Sequence, residues 1–174
     1  MATPEFILEL RRHIGTAPLW LTGVTAVVLR ERAGDGGDAV GSDGGPRAAG
    51  LEVLLVRRSD TGAWTPVTGI VDPGEEPAVA AAREVLEEAD VVATAQRLAS
   101  VSVTAPVVYG NGDRTQYIDL TFRFGYVSGD PHPADGENTD AAWFDVAVLP
   151  PMSDGMRARI DDALPERGEA LFAV

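Results

Sequence analysis

Residues Gly69 to Val91 read GIVDPGEEPAVAAAREVLEEADV. The second half of this stretch predicts a helix over Pro77–Asp90. Pro77 suits the first helical turn, Glu75 and Glu76 complement the positive end of the helix, and the run is rich in alanine. At roughly 100° per residue, Glu84, Glu87 and Glu88 fall within about 100° of one another, and Ala78, Ala82, Val85 and Ala89 gather about 130° away. The expectation is a helix that buries its small residues against a sheet and gathers three carboxylates on another face. Like charges three and four residues apart destabilise a helix by roughly a few tenths of a kcal/mol per pair, and selection for stability alone would intersperse Lys or Arg. A divalent cation converts that repulsion into coordination. A solvated acidic face is the alternative reading of the same three residues.

Working outward, Leu51–Arg58 predicts a strand and Trp64–Val67 a short second one, while Leu21–Arg30 is β-rich. Between them, Glu31–Gly50 holds seven glycines and almost no large apolar residue, which predicts a flexible Gly-rich hairpin insertion over 31–50. No Lys follows these glycines, so they make a poor phosphate cradle. Pro4–Ile14 reads as a short amphipathic helix, with Phe6, Leu10 and Ile14 at spacing four and Gly15 as a stop, forming an N-terminal helical extension over 1–18. Beyond the central stretch, Leu98–Ala105, Gln116–Val127 and Ala141–Val146 predict strands. In Gln116–Val127, Ile118, Leu120, Phe122 and Phe124 alternate with Tyr117, Asp119, Thr121 and Arg123, so one face is polar. Ser153 caps a closing helix whose apolar positions include Met156, Ile160 and Leu164. There is no internal repeat. The order of elements points to one domain over 1–174, of α+β or layered α/β class with a mixed sheet.

Composition narrows the chemistry. All 14 basic residues are Arg, which excludes a Lys nucleophile or base, and the absence of Cys excludes thiol catalysis and Cys-ligated zinc. The two histidines, His13 and His132, are far apart and make a poor start for a His-rich metal site. Asp and Glu total 27, and carboxylates favour hard cations such as Mg²⁺ or Mn²⁺. A formal net charge of −13 opposes a nucleic-acid partner but not a small phosphorylated ligand, since bound cations neutralise a site locally. No apolar run reaches the roughly 20 residues of a membrane span. No export signal is evident at Met1–Glu5, so the cytoplasm is the expected compartment. A homodimer is compatible with the sequence.

The Gly69–Val91 stretch resembles the Nudix box: Gly, five residues, Glu, seven residues, then Arg-Glu-apolar-any-Glu-Glu-any-Gly-apolar. Gly69, Glu75, Arg83, Glu84, Val85, Glu87, Glu88 and Val91 fall in register. Looser likeness extends to Leu51–Arg58, Trp64 and the segment from Trp143-Phe144-Asp145 to Leu149-Pro150. The resemblance implies an α/β/α sandwich and a Mg²⁺-dependent hydrolase of nucleoside diphosphate derivatives, with Glu84, Glu87 and Glu88 as metal ligands and catalytic carboxylates. It further implies the Thr68 carbonyl as an extra ligand, and Gly69, Glu75 and Arg83 as structural members of the box, the last two as a salt bridge. Two positions depart from the pattern. Asp90 stands where Gly is usual, and Pro66-Val67-Thr68-Gly69 stands where many relatives have a Pro-Gly-Gly turn.

Nudix enzymes often draw a further acid from a loop beyond the box. The candidates are Glu137, in Asp135-Gly136-Glu137-Asn138, and Asp119, for which a structural role is the favoured reading. Arg57, Arg58 and Arg114 are candidates for phosphate or ribose, and Tyr109 and Tyr117 for stacking on a base. Pro106, 15 residues after Val91, is similar in placement to a residue of ADP-ribose pyrophosphatases, and Tyr109, 18 after it, to one of dinucleoside polyphosphate hydrolases. A nucleotide-sensing module of the same fold without hydrolysis is the competing function; such modules usually lose box carboxylates. The isopentenyl-diphosphate isomerases share the fold but rely on a Cys, which this chain lacks.

Overall fold

A computed structural model describes residues 3–32 and 50–173. The elements run α1 Glu5–Ile14, β1 Leu19–Glu31, β2 Leu51–Arg58, β3 Trp64–Thr65, β4 Val67–Ile70, α2 Pro77–Ala89, β5 Val92–Val103, β6 Val107–Val108, β7 Arg114–Ser128, β8 Asn138–Asp145, α3 Asp154–Ala163 and β9 Leu171–Phe172. The strands form one mixed sheet in the order β3-β2-β1-β7-β5-β9, with β4 on β1, β6 on β7 and β8 on β2. β1 runs parallel to β7 and β5 to β9; the remaining pairs are antiparallel.

Period-2 alternation gives this sheet two cores. Val24, Ala26, Val28, Leu54 and Val56 face α2, where they meet Ala80, Ala81, Val85 and Ala89. Their neighbours Val27, Leu29, Val53 and Leu55 face α3 and meet Ile160 and Ala163. Strands buried on both faces read as continuous apolar runs, and VTAVVL and VLLV in β1 and β2 do so. The result is the α/β/α sandwich. Ser153 caps α3 as the sequence predicts, its Oγ accepting from the Met156 N–H at 3.3 Å. The expected insertion at 31–50 falls mostly on 33–49, outside the described residues; at its base the Arg32 N–H donates to the Gly50 carbonyl at 2.7 Å. No described helix is long and apolar enough to cross a membrane.

The polar alternation of β7 is present and is buried: Asp119, Thr121 and Arg123 are 4%, 0% and 8% exposed. They are buried because each finds partners under α3. Asp119 accepts from the Thr25 and Thr121 hydroxyls and lies 3.4 Å from Arg159. Arg123 donates to the carbonyls of Ala163 and Leu164, closing the C-terminus of α3 with a cation. On α2, the carboxylates do not lie opposite the buried face. Glu84 and Glu88 are each 5% exposed and sit within it, whereas Val79 and Leu86 are 58% and 48% exposed. The reason lies in the chain around α2, which folds over its acidic side.

Candidate active site

Glu84 packs directly onto β4. A Cβ at Gly69 would overlap the Glu84 side chain from Cγ to Oε1, so a glycine is needed there for close approach. Next to Glu84, Arg83 is a hub. It grips Glu75 through one edge of the guanidinium in two bonds, Nε to Oε1 and Nη2 to Oε2, each at 3.0 Å. Its Nη1 donates to Glu84 at 3.1 Å and to Glu87 at 3.0 Å. Glu75 also accepts from the Asp72 N–H, which closes the loop ahead of α2. The Arg83 hydrogen bonds hold the Glu75 carboxyl below its ordinary range. One guanidinium thus offsets the like-charge repulsion expected along α2.

Glu88 points elsewhere. Asp90 ends α2 in the left-handed region at φ 51°, ψ 37°, the one non-glycine residue with positive φ among those described. Gly129 packs against the backbone of Asp90 and Val91 so closely that a Cβ would clash. The loop that follows donates N–H groups of His132 and Ala134 to the carbonyls of Ala89 and Glu88. It therefore supplies the partners that the last turn of a helix lacks, and it carries Asp135 and Glu137 to Glu88. Carboxylate oxygens of these three residues lie within 4.8 Å of one another. The Asn138 amide donates to Glu88 at 3.0 Å. Burial nevertheless pushes the Glu88 carboxyl up to about 7, with Glu84 and Asp135 adding like charge. Burial likewise raises Glu84, against the pull of Arg83. Three carboxylates, one of them buried, fit a divalent cation.

Thr68 and Gly69 stand on the wall of a cavity of about 580 Å³ whose lining includes none of these three carboxylates. Arg58 connects cavity and cluster. The β2–β8 ladder shifts register between Arg57 and Arg58, and Arg58 lies opposite Asn138, the partner of Glu88. Such a bulge re-aims the side chains that follow it. Arg58 lines the cavity and is held by Asp60 at 2.7 and 2.9 Å. These bonds raise it above its ordinary value, with Glu88 and Tyr109 adding to the effect. Tyr117 lines the cavity too, its hydroxyl 2.8 Å from that of Tyr109. Arg57 and Arg114 do not line it. Arg57 donates to the Gly62 carbonyl and Arg114 to the Thr16 carbonyl.

The structure thus gathers Glu88 with Glu137, and separately Thr68, Arg58 and Tyr117 along the cavity. Glu84 and Glu87 are held by Arg83 rather than by each other's company with Glu88. Sequence reasoning missed Asp135, Asn138 and Asp60. The first two sit in the same short loop motif as Glu137, and that proximity was the available signal. Asp60, two residues past Arg58 at a strand end, gave none.

A sequence model described as NUDIX domain matches residues 43–166. The chain belongs to the Nudix family. It is 35% identical over 106 residues to the NAD-capped RNA hydrolase NudC of Pseudomonas aeruginosa, an alignment covering 59% of this chain and 35% of that protein. The chain therefore spans about a third of the length of that curated relative. Among solved Nudix-fold structures, an ADP-ribose pyrophosphatase from Streptococcus suis superposes with a TM-score of 0.60 at 17% identity, covering 86% of this chain and 96% of that one. A UDP-X diphosphatase gives 0.63 at 19%, covering 99% and 76%. At these identities the likeness is one of fold.

Proposed function

We propose that this Nudix chain is a metal-dependent pyrophosphohydrolase that cleaves the diphosphate linkage of a nucleoside diphosphate derivative, NDP-X, by attack of water. Residues 1–174 act as one hydrolase domain, and the cytoplasm is the compartment assigned to it. One observation carries the reading: Arg58, which lines a cavity about 580 Å³ in volume, lies opposite Asn138, the residue that donates to Glu88 of the Glu88–Asp135–Glu137 cluster. That volume is within the usual range of roughly 300–1,000 Å³ for small-molecule sites. The names of the similar proteins support it, since ADP-ribose, UDP-X and NAD each join a nucleoside diphosphate to a second group.

Glu88, Asp135 and Glu137 would hold Mg²⁺, or Mn²⁺ in its place. Glu84 and Glu87 from the box, and the Thr68 carbonyl just before it, are additional donors. When bound, the cation supplies charge for the diphosphate oxygens and acidifies the attacking water. The chain's own side chains do the rest. Arg58 exchanges Asp60 for a phosphate oxygen, which matches guanidinium geometry better than a single ammonium would. Glu137, the half-buried member of the cluster beside the exposed Asp135, takes the proton of the attacking water. Tyr109 and Tyr117 face the nucleoside. Arg83 and Glu75 keep the loop before α2 in place and touch no substrate.

The test is hydrolysis of ADP-ribose, UDP-sugars, NAD and NAD-capped RNA by the purified protein, with Mg²⁺, with Mn²⁺ and with EDTA. The free nucleotides should turn over only with metal. The net charge of −13 opposes a polyanion, so the capped RNA should be the poorer substrate. Binding of NDP-X without turnover under every metal condition would replace the hydrolase by a nucleotide sensor.

A further inference from the structure

The cavity's far wall is not made by the Nudix box. The family match begins at residue 43, and α1 precedes it. Yet Ile7 and Arg11 of α1 line the cavity. Ile7 is 5% exposed, while Leu8, Leu10 and Ile14 of the same helix are 43%, 40% and 38% exposed. A helix that buries so little of its apolar surface is weakly held by packing, and here polar contacts hold it instead.

Arg11 supplies most of them. Its Nη1 donates to the Gly15 carbonyl at 3.0 Å and to that of Ala17, and its Nη2 to the Arg114 carbonyl at 2.8 Å and the Thr115 hydroxyl at 3.3 Å. Its Nε lies 3.5 Å from Asp113. Arg114 reciprocates, donating to the Thr16 carbonyl at 3.2 Å. These contacts clip α1 to the hairpin between β6 and β7, the hairpin that brings Tyr109 to the cavity.

The sheet fixes which end this is. Thr115 lies opposite Leu19 and Gly69 opposite Val24. Five residues of extended chain separate these levels, about 16 Å along β1. On the hydrolase reading, a diphosphate bound at Arg58 would extend its nucleoside past the tyrosines toward α1, since all of these line one cavity.

We propose that α1 is the nucleoside-selecting wall of this enzyme: Ile7 closes the phosphate-distal end of the cavity, and Arg11 positions the helix that carries it. The proposal rests on the hydrolase reading above, and it adds that the base, purine or pyrimidine, is chosen by an element outside the matched family region. Arg11 touches no reacting atom in this scheme.

The probes are ADP and UDP, titrated calorimetrically against the whole protein, alongside kcat and KM for ADP-ribose and a UDP-sugar. Ile7→Trp fills the end of the cavity and should weaken ADP by about tenfold more than UDP, the scale of steric discrimination in an apolar pocket. Ile7→Ala should shift the ratio the other way. Both should move KM and leave kcat near wild type, a split that general loss of fold would not produce. Melting curves identify a variant that fails to fold. In that case amide exchange of wild-type α1 decides, because ADP should slow it. ADP and UDP affinities within about twofold of wild type in both variants, or α1 exchange indifferent to ADP, would overturn the proposal. Hydrolysis with unchanged selectivity in the variants removes this inference alone. Selective nucleotide binding with no hydrolysis keeps it and removes the hydrolase.

Discussion

Burial holds the proton on Glu88 up to about pH 7, well above its ordinary value of 4.5, and this has a measurable consequence for the metal-free protein. Between these two values the folded state binds more protons than the unfolded chain, so stability falls as pH rises through that window. A shift of this size corresponds to a loss on the order of 3 kcal/mol. A cation among Glu88, Asp135 and Glu137 stabilises the ionised form and works in the opposite direction. The melting temperature in EDTA should therefore drop from about pH 5 to about pH 8, and Mg²⁺ should restore more of it at the higher pH. Glu88→Gln should flatten the EDTA profile, raise stability near neutrality and lower kcat by at least about 10²-fold. Wild-type turnover in Glu88→Gln at saturating Mg²⁺ would remove the cluster from the mechanism, whatever the melting curves show.

At the scale of elements, the exit from α2 aims the loop that delivers Asp135 and Glu137. Asp90 adopts φ 51° there, a conformation that costs a non-glycine residue about 1 kcal/mol. Its charge at the helix C-terminus costs a further few tenths, roughly. The exposed His132, 3.8 Å away, returns little of this. Asp90→Gly removes both penalties while giving the unfolded chain up to about 1 kcal/mol of extra conformational freedom. We expect a net stabilisation below about 1 kcal/mol in urea unfolding, with kcat unchanged. A folded Asp90→Gly protein without metal-dependent turnover would make Asp90 part of the site. This turn was legible in the sequence, as were α2, the Glu75–Arg83 pair and the α3 cap, because each depends on residues near one another in the chain. The burial of Glu84 and Glu88 was not. Helical spacing orders side chains around an axis but says nothing of a loop 45 residues later folding over them, counted from Ala89 to Ala134. Arg11 was equally invisible, since its partners on β7 lie about a hundred residues away.

For the whole molecule, the two cores are joined through the sheet by polar groups as well as apolar ones, and the join forms part of the cavity wall. Thr25 on β1, Asp119 on β7 and Arg159 on α3 form one buried network: the Thr25 hydroxyl donates to Asp119 at 3.0 Å, and Arg159 donates to that hydroxyl oxygen at 2.9 Å. The side chains of Arg159 and Asp119 are 14% and 5% exposed. Removing one member of a buried pair leaves the other charged and uncompensated, which typically costs about 3–5 kcal/mol. Asp119 would keep the hydroxyls of Thr25 and Thr121, so Arg159→Met should fall at the lower end, about 3 kcal/mol by urea unfolding. Pairing it with Asp119→Asn removes the stranded charge, and the double variant should be more stable than Arg159→Met alone. Both groups line the cavity but neither belongs to the acidic cluster, so the folded Arg159→Met protein should show a raised KM with kcat close to wild type. A loss that is the plain sum of the two single variants would show that the pair is not coupled, and that α3 is held by its apolar contacts with Ile160 and Ala163.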